Sequence, residues 1–180
     1  MTTSGTDRRS EQALIRPFEA RDATPVRDLF IRVNRGLAPP HMRGAFELYI
    51  QRSLTEEIDR IGDYFADRNG AFFVAERGDR ICGMFGLETV GPGSVELRRM
   101  YVDPDARGLG LGRQLLARAE AEARKLGGDR LILSTSEVQE AALGLYRSSG
   151  YVQTREEIAD TVSNKTLGGG LRRFHFEKPL

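Results

Sequence analysis

The chain has 180 residues, of which 39% are hydrophobic and 29% charged, with a formal net charge of +1. That length and apolar share suit one compact domain with its own core, and the near-neutral balance gives no general electrostatic reason to bind nucleic acid or an anionic membrane. The single Cys82 can form neither an internal disulfide nor a metal cluster, which points to a reducing cytoplasm and to no bound metal.

Residues 1–12 read as a flexible polar tail without the apolar stretch of a secretory signal, and no apolar run approaches the ~20 residues of a membrane span. Residues 13–180 are expected to form one domain. "ALIRPFEARD" reads as a first strand, and Thr24-Pro25 supplies a cap and first-turn pair for a helix through "VRDLFIRVN". After "APP", Gly44 to Phe65 carries Leu48, Ile50, Leu54, Ile58 and Ile61 at helical spacing and predicts an amphipathic helical stretch. "AFFVAE" and "RICGMFGLE" are β-prone runs joined by a hairpin turn at "RGD", and a second turn, "VGPGS", leads into a strand from Val95 to Val102. A helix from about Leu109 to Leu126 comes next, then the strand "RLILSTS", a short helix in "EVQEAALGLYRSSG" and a strand from Tyr151. A polar, glycine-rich loop, "SNKTLGGG", precedes the last strand, "LRRFHFEK". Hairpin-linked strands followed by strand, helix, strand, helix predict one mixed α/β sheet with helices on both faces.

The most informative stretch is "DPDARGLGLGRQLLARAEAEARKLGG", where Gly108, Gly110 and Gly112 fall at alternate positions before a sound helix. Glycine offers nothing to pack and costs backbone entropy, so bare backbone must serve a purpose there. Backbone N–H groups at a helix start lack intrahelical partners and carry partial positive charge; glycine lets a pyrophosphate reach them, with Arg107 and Arg113 adding fixed charge. The spacing G-x-G-x-G excludes the dinucleotide fingerprint G-x-G-x-x-G. The absence of Lys-Ser/Thr after Gly112 excludes a P-loop.

The run Arg107-Gly108-Leu109-Gly110-Leu111-Gly112, after "ELRRMYVDP", resembles the acyl-coenzyme A signature [Q/R]-x-x-G-x-[G/A] of the Gcn5-related N-acetyltransferases (GNAT). Leu145-Tyr146-Arg147-Ser148-Ser149-Gly150-Tyr151 is similar to a second element of that family. Nearly the whole chain takes part in the resemblance, and "YFADRNGAFFVAERGDRICGMFGLE" with "LILSTSEVQEAALGLYRSSGY" looks most like the camello-like branch, which includes cysteine-conjugate N-acetyltransferases. The animal members of that branch have a membrane-associated hydrophobic segment where this chain has the charged stretch Gly44 to Phe65. The resemblance implies a single-domain GNAT fold: a mixed, mostly antiparallel central sheet with a V-shaped splay between the central strands, in which the pantetheine of acetyl-CoA lies as an added strand. It places Met100 and Val102 against the pantetheine and Arg107, Gly108, Leu109, Gly110, Leu111, Gly112 and Arg113 around the pyrophosphate. Gln139 falls where many relatives have an asparagine near the cofactor, and Tyr146 matches the family's usual acid.

Glu96 matches the base position of the histone-acetylating relatives. By strand alternation Glu96, Arg98, Met100 and Val102 share one face, which mixes charge with apolar groups as a cleft lining would. The same alternation lets Arg98 pair with Glu96 and weaken it as a base, so base, base through water and structural ion pair all stay open. Cys82 reads as a small core residue. His41 and His175 are too few for a metal site, and the Arg-Arg pairs at 8, 98 and 172 read as solvated or ion-paired rather than as nucleic-acid contacts. The expected activity is transfer of an acetyl group from acetyl-CoA to a primary amine, with a small amino-acid-like molecule as acceptor and Arg98 as first choice for its carboxylate. A peptide lysine or N-terminal amine acetyltransferase and a non-catalytic acyl-CoA-binding regulator are the alternatives, and the sequence leaves a homodimer open.

Overall fold

The computed structural model describes residues 12–180. The expected polar tail, residues 1–12, lies outside the described residues but for Gln12. Seven strands make one sheet: β1 (Leu14–Pro17), β2 (Ala71–Arg77), β3 (Arg80–Gly91), β4 (Ser94–Val102), β5 (Arg130–Ser136), β6 (Val152–Ala159) and β7 (Leu171–Pro179). Their order across the sheet is β1-β2-β3-β4-β5-β7-β6. Every neighbouring pair is antiparallel except β4 and β5, which run parallel.

Helices cover both faces, as the element order predicts. On one side α1 (Ala23–Leu37), α2 (Arg43–Glu56) and α3 (Ile61–Ala66) pack Phe30, Ile50, Leu54 and Phe65 against Phe72, Val74 and Met84. On the other, α4 (Leu111–Lys125) and α5 (Glu140–Ser148) pack Leu115, Leu116, Ala119 and Leu143 against Phe73, Ala75, Phe85 and Leu97. Neighbours in sequence such as Phe72 and Phe73 thus enter opposite cores, which is why β2 and β3 read as unbroken apolar runs.

The stretch from Gly44 to Phe65 is broken at Glu57, whose backbone leaves the helical region at φ −141° and ψ −60°. A carboxylate at that break reaches the core and meets two arginines of β4, which a continuous helix through this point would not allow. Leu48 is 66% exposed and lies off the buried face made by Phe46, Tyr49, Ile50, Ser53 and Leu54.

Pairing between β4 and β5 runs only from Ser94↔Arg130 to Leu97↔Leu133, although β4 continues to Val102 and β5 to Ser136. Beyond Leu97 the strands part, so backbone groups on this edge of β4 have no strand partner among the described residues. A bulge sits at the same point. Register with β3 passes from Gly86↔Arg98 to Met84↔Tyr101, and Arg99 takes a left-handed φ of 53°, uncommon for any residue but glycine. The parting opens the sheet, and the bulge decides which side chains face the opening.

Candidate active site

The extra residue at the bulge corrects the expected face of β4. Glu96 and Arg98 lie on the side of α1–α3, while Met100 and Val102, one step out of phase, pack against the α4 and α5 core beside Leu97. Arg99 turns to the same side as Arg98. Both guanidiniums are buried and share Glu57, itself 0% exposed: Arg98 Nη2 donates to Oε2 at 2.9 Å, and Arg99 forks onto Oε1 and Oε2 at 2.9 and 2.7 Å. Arg98 also donates to Glu88 at 3.0 Å and to Tyr64 Oη, and Arg99 to Tyr49 Oη at 2.6 Å. Burial alone would lower the pKa of Arg99, but Tyr49 and Glu57 hold it well above its usual value. Arg98 therefore does not pair with Glu96. That partner is Lys165, from the segment between β6 and β7, whose Nζ lies 2.7 Å from Glu96 Oε2 and 2.7 Å from Glu88 Oε1.

Two cavities meet where the strands part. The larger, of about 540 Å³, runs along α4 and α5 and is lined by Met100, Val102, Arg107, Gly108, Gly110, Leu111, Gly112, Arg113, Gln139 and Tyr146. These ten are residues that the sequence singles out; Val33, Leu37, Tyr101, Ala106, Val138, Glu140, Ala141, Ala142 and Leu145, which it does not, complete the lining. Leu109 is 47% exposed and lies outside the lining. Gly108 and Gly110 adopt left-handed φ values of 79° and 76°, which only glycine takes without strain, and Gly110 caps α4, so the first N–H groups of a 15-residue helix face this cleft. Gly112 has no such backbone demand; a Cβ there would touch Leu145 Cδ2 at 3.4 Å. These features fit a pyrophosphate at the helix start and an extended pantetheine beside the free edge of β4.

The smaller cavity, of about 90 Å³, lies on the α1–α2 side and is lined by Glu96, Arg98, Arg99, Ser134, Ser136, Lys165 and Arg173 among others. It shares Leu37, Met100, Tyr101, Val138, Gln139 and Tyr146 with the larger one. Tyr146 is 5% exposed, its Oη 4.0 Å from Met100 Sδ, and burial drives its pKa well above that of free tyrosine. Gln139 Oε1 accepts from Thr135 Oγ1 at 2.7 Å and from the Ser136 backbone N–H at 3.3 Å, which sets the side chain at the start of α5.

Lys165, Arg173, Ser136 and Glu57 escaped the reading of the sequence. For Arg173 alternation in "LRRFHF" gave no signal: it sets Arg172 with Phe174 and Phe176, yet Arg173 is the buried arginine and Arg172 the exposed one. Of the other Arg-Arg pairs, Arg98-Arg99 is ion-paired in the core, and Arg8 lies outside the described residues. Cys82 is a buried core residue; its Sγ donates to the Ala75 carbonyl at 3.4 Å, and burial raises its pKa. Among the described residues no three His, Cys, Asp or Glu side chains gather as metal ligands, and no helix is long and apolar enough to cross a membrane.

A sheet opened between two parallel strands, with a glycine-bared helix start at the opening, suits the binding of acyl-CoA by an acyltransferase. Residues 39–151 match the acetyltransferase (GNAT) family, and the chain belongs to it. It is 40% identical over 114 residues to the IAA acetyltransferase of Azospirillum brasilense, covering 54% of this chain and 74% of that one. With N-acetyltransferase 8 of Rattus norvegicus, a camello-like protein, it shares 31% identity over 121 residues, which are 64% of this chain and 54% of the relative, so the chain spans about half the length of that protein. Among solved structures, YncA of Salmonella typhimurium with acetyl-CoA superposes with a TM-score of 0.71 at 20% identity, covering 94% of each chain. The PaiA N-acetyltransferase of Thermoplasma acidophilum with coenzyme A gives 0.70 at 19%, over 94% of this chain and 99% of that one. At these identities the two structures speak for the fold.

Proposed function

We propose that the protein acetylates the primary amine of a small, amino-acid-like acceptor, with Tyr146 as general acid and Glu96 as general base. The observation that carries this reading is the junction of the two cavities at Met100, Gln139 and Tyr146, with Glu96 in the smaller cavity alone. Met100 and Val102 line the path of the pantetheine, and Arg107 to Arg113, with backbone N–H groups at the start of α4, receive the pyrophosphate. Gln139, tied on its oxygen side, offers its amide N–H groups at the junction.

Acetyl-CoA supplies a thioester carbonyl, whose C–S bond breaks as the new C–N bond forms. An ammonium near pKa ~10.4 has no lone pair, so a proton must leave before attack, and Glu96 takes it and passes it to solvent. Tyr146 keeps its proton because burial opposes the phenolate, and donates it to the departing sulfur. The second proton of the acetylated nitrogen restores Tyr146. The balance is one amide, one thiol and one proton released.

The small volume of the acceptor cavity, closed on one side by the segment carrying Lys165, supports a small molecule over a long peptide. The buried lone cysteine, with no internal disulfide to form, supports work in a reducing compartment such as the cytoplasm. Coenzyme A release across a panel of amines tests the reading. S-substituted and free amino acids are expected to exceed peptide lysines in kcat/KM; a tenfold preference for the lysines would favour a protein-modifying enzyme, and no turnover of any amine would favour an acyl-CoA-binding regulator.

A further inference from the structure

Four cations line the acceptor cavity: Arg98, Arg99, Lys165 and Arg173. Three are matched by acids. Glu57 serves Arg98 and Arg99, Glu88 serves Arg98 and Lys165, and Glu96 serves Lys165, all at 2.7–3.0 Å. Arg173, 8% exposed, has no carboxylate partner among the described residues; its guanidinium donates to the Lys165 carbonyl and to Ser134 Oγ. With Glu57, Glu88 and Glu96 ionised, the cluster keeps one positive charge beyond those its carboxylates balance. Burial draws the Arg173 pKa down, yet a guanidinium remains charged, so the cost of an unmatched buried cation stands.

A second group at the same place also lacks a partner. Ser136 lies directly across from Arg173 in the β5–β7 register, on the same face of the sheet, and its buried Oγ has no hydrogen-bond partner among the described residues. Ser136 and Arg173 both line the cavity that opens towards Tyr146. A guanidinium fork beside an unused hydroxyl matches the two oxygens of a carboxylate. Glu96, in the same cavity, gives Oε2 to Lys165 and has Oε1 left for the acceptor amine. Arg98, first choice from the sequence, is already held by two carboxylates and a phenol.

We infer that Arg173 and Ser136 form the carboxylate subsite of the acceptor cavity, so that the acceptor is an amino acid with a free carboxylate. This rests on the reading that the amine enters this cavity. A substrate carboxylate here balances the charge of Arg173, satisfies Ser136 Oγ and leaves the amine to Glu96. An acceptor whose carboxyl is an amide brings no charge, and a peptide-linked lysine has no carboxylate near its reacting nitrogen.

The test pairs an S-substituted amino acid with its carboxamide, in wild type, Arg173→Gln and Ser136→Ala, by coenzyme A release and by calorimetric titration of the acceptor with coenzyme A present. Wild type is expected to favour the acid roughly 10- to 100-fold in kcat/KM and in affinity, as charge-assisted hydrogen bonds warrant. In Arg173→Gln the acid-to-amide ratio should collapse to within about threefold of unity, and in Ser136→Ala it should fall by about threefold or more. Should Arg173→Gln not fold, the wild-type ratio and Ser136→Ala decide. Arg173-dependent binding of the acid without turnover would support the subsite and count against the proposed activity. Turnover of acid and amide at equal kcat/KM would uphold acetyl transfer and overturn the subsite, as would an undiminished acid preference in a folded Arg173→Gln.

Discussion

Glu96 Oε2 accepts a hydrogen bond from Lys165 Nζ at 2.7 Å, so the carboxylate of β4 is tied to the segment joining β6 and β7. The same ammonium holds Glu88, one strand away. An acceptor ammonium arriving at Glu96 must share this carboxylate with Lys165 or displace it.

Glu96 as base and Glu96 as ion-pair partner predict different mutants. If the carboxylate takes the proton, Glu96→Gln lowers kcat/KM by about 10², the usual worth of a general base, whereas Lys165→Met keeps the carboxylate and stays within about tenfold of wild type. Steady-state kinetics on both variants decide the matter. Equal losses in the two would assign Glu96 a structural role.

Tyr146→Phe is expected to lower kcat by about 10² with little change in acetyl-CoA affinity, because the ring packing with Tyr151 and Phe176 survives and only the donor is lost. Burial raises the phenol's pKa, so the neutral donor persists upward through about pH 10, where free tyrosine ionises. Wild-type kcat should therefore show no alkaline loss from phenol ionisation below that pH. A loss of cofactor affinity equal to the loss of kcat would make Tyr146 a packing residue.

At the start of α4, Gly112→Val should weaken acetyl-CoA binding by about tenfold or more while leaving the fold intact, since Gly112 has an ordinary backbone conformation and its Cβ position is open but for Leu145. Gly110→Ala, at a φ of 76°, should cost about 1–2 kcal/mol of stability in addition. Calorimetry and chemical denaturation separate the two effects. Wild-type affinity in Gly112→Val would remove the pyrophosphate from this loop.

Glu57→Gln tests the buried network under the acceptor cavity. It leaves Arg98 and Arg99 in the core with only part of their charge balanced, and loss of one partner of a buried ionic group costs about 3–5 kcal/mol. Urea denaturation should show that loss. A change below about 1 kcal/mol would mean that water or Glu88 replaces the missing charge.

By itself the sequence determined the strands, most of the helices and the glycine-bared start of α4, because each rests on local chemistry. Glycine at alternate positions before an amphipathic helix, and a tyrosine at the end of a short helix, keep their meaning whatever packs around them. The β-prone apolar runs "AFFVAE" and "RICGMFGLE" likewise placed β2 and β3 in the sheet. The acceptor side escaped because it depends on contacts between residues far apart in the chain. Glu57 ends α2 to reach Arg98 and Arg99, 41 and 42 residues later, and Lys165 reaches back 69 residues to Glu96. The strict two-residue period that placed Met100 beside Glu96 fails at Arg99, where β4 holds one residue more than β3 can pair. No side-chain pattern announces a bulge. Tertiary packing decided which face each residue of β4 presents, and through it which arginine is left without a carboxylate, because burying four cations together requires partners that only the folded chain can bring within reach.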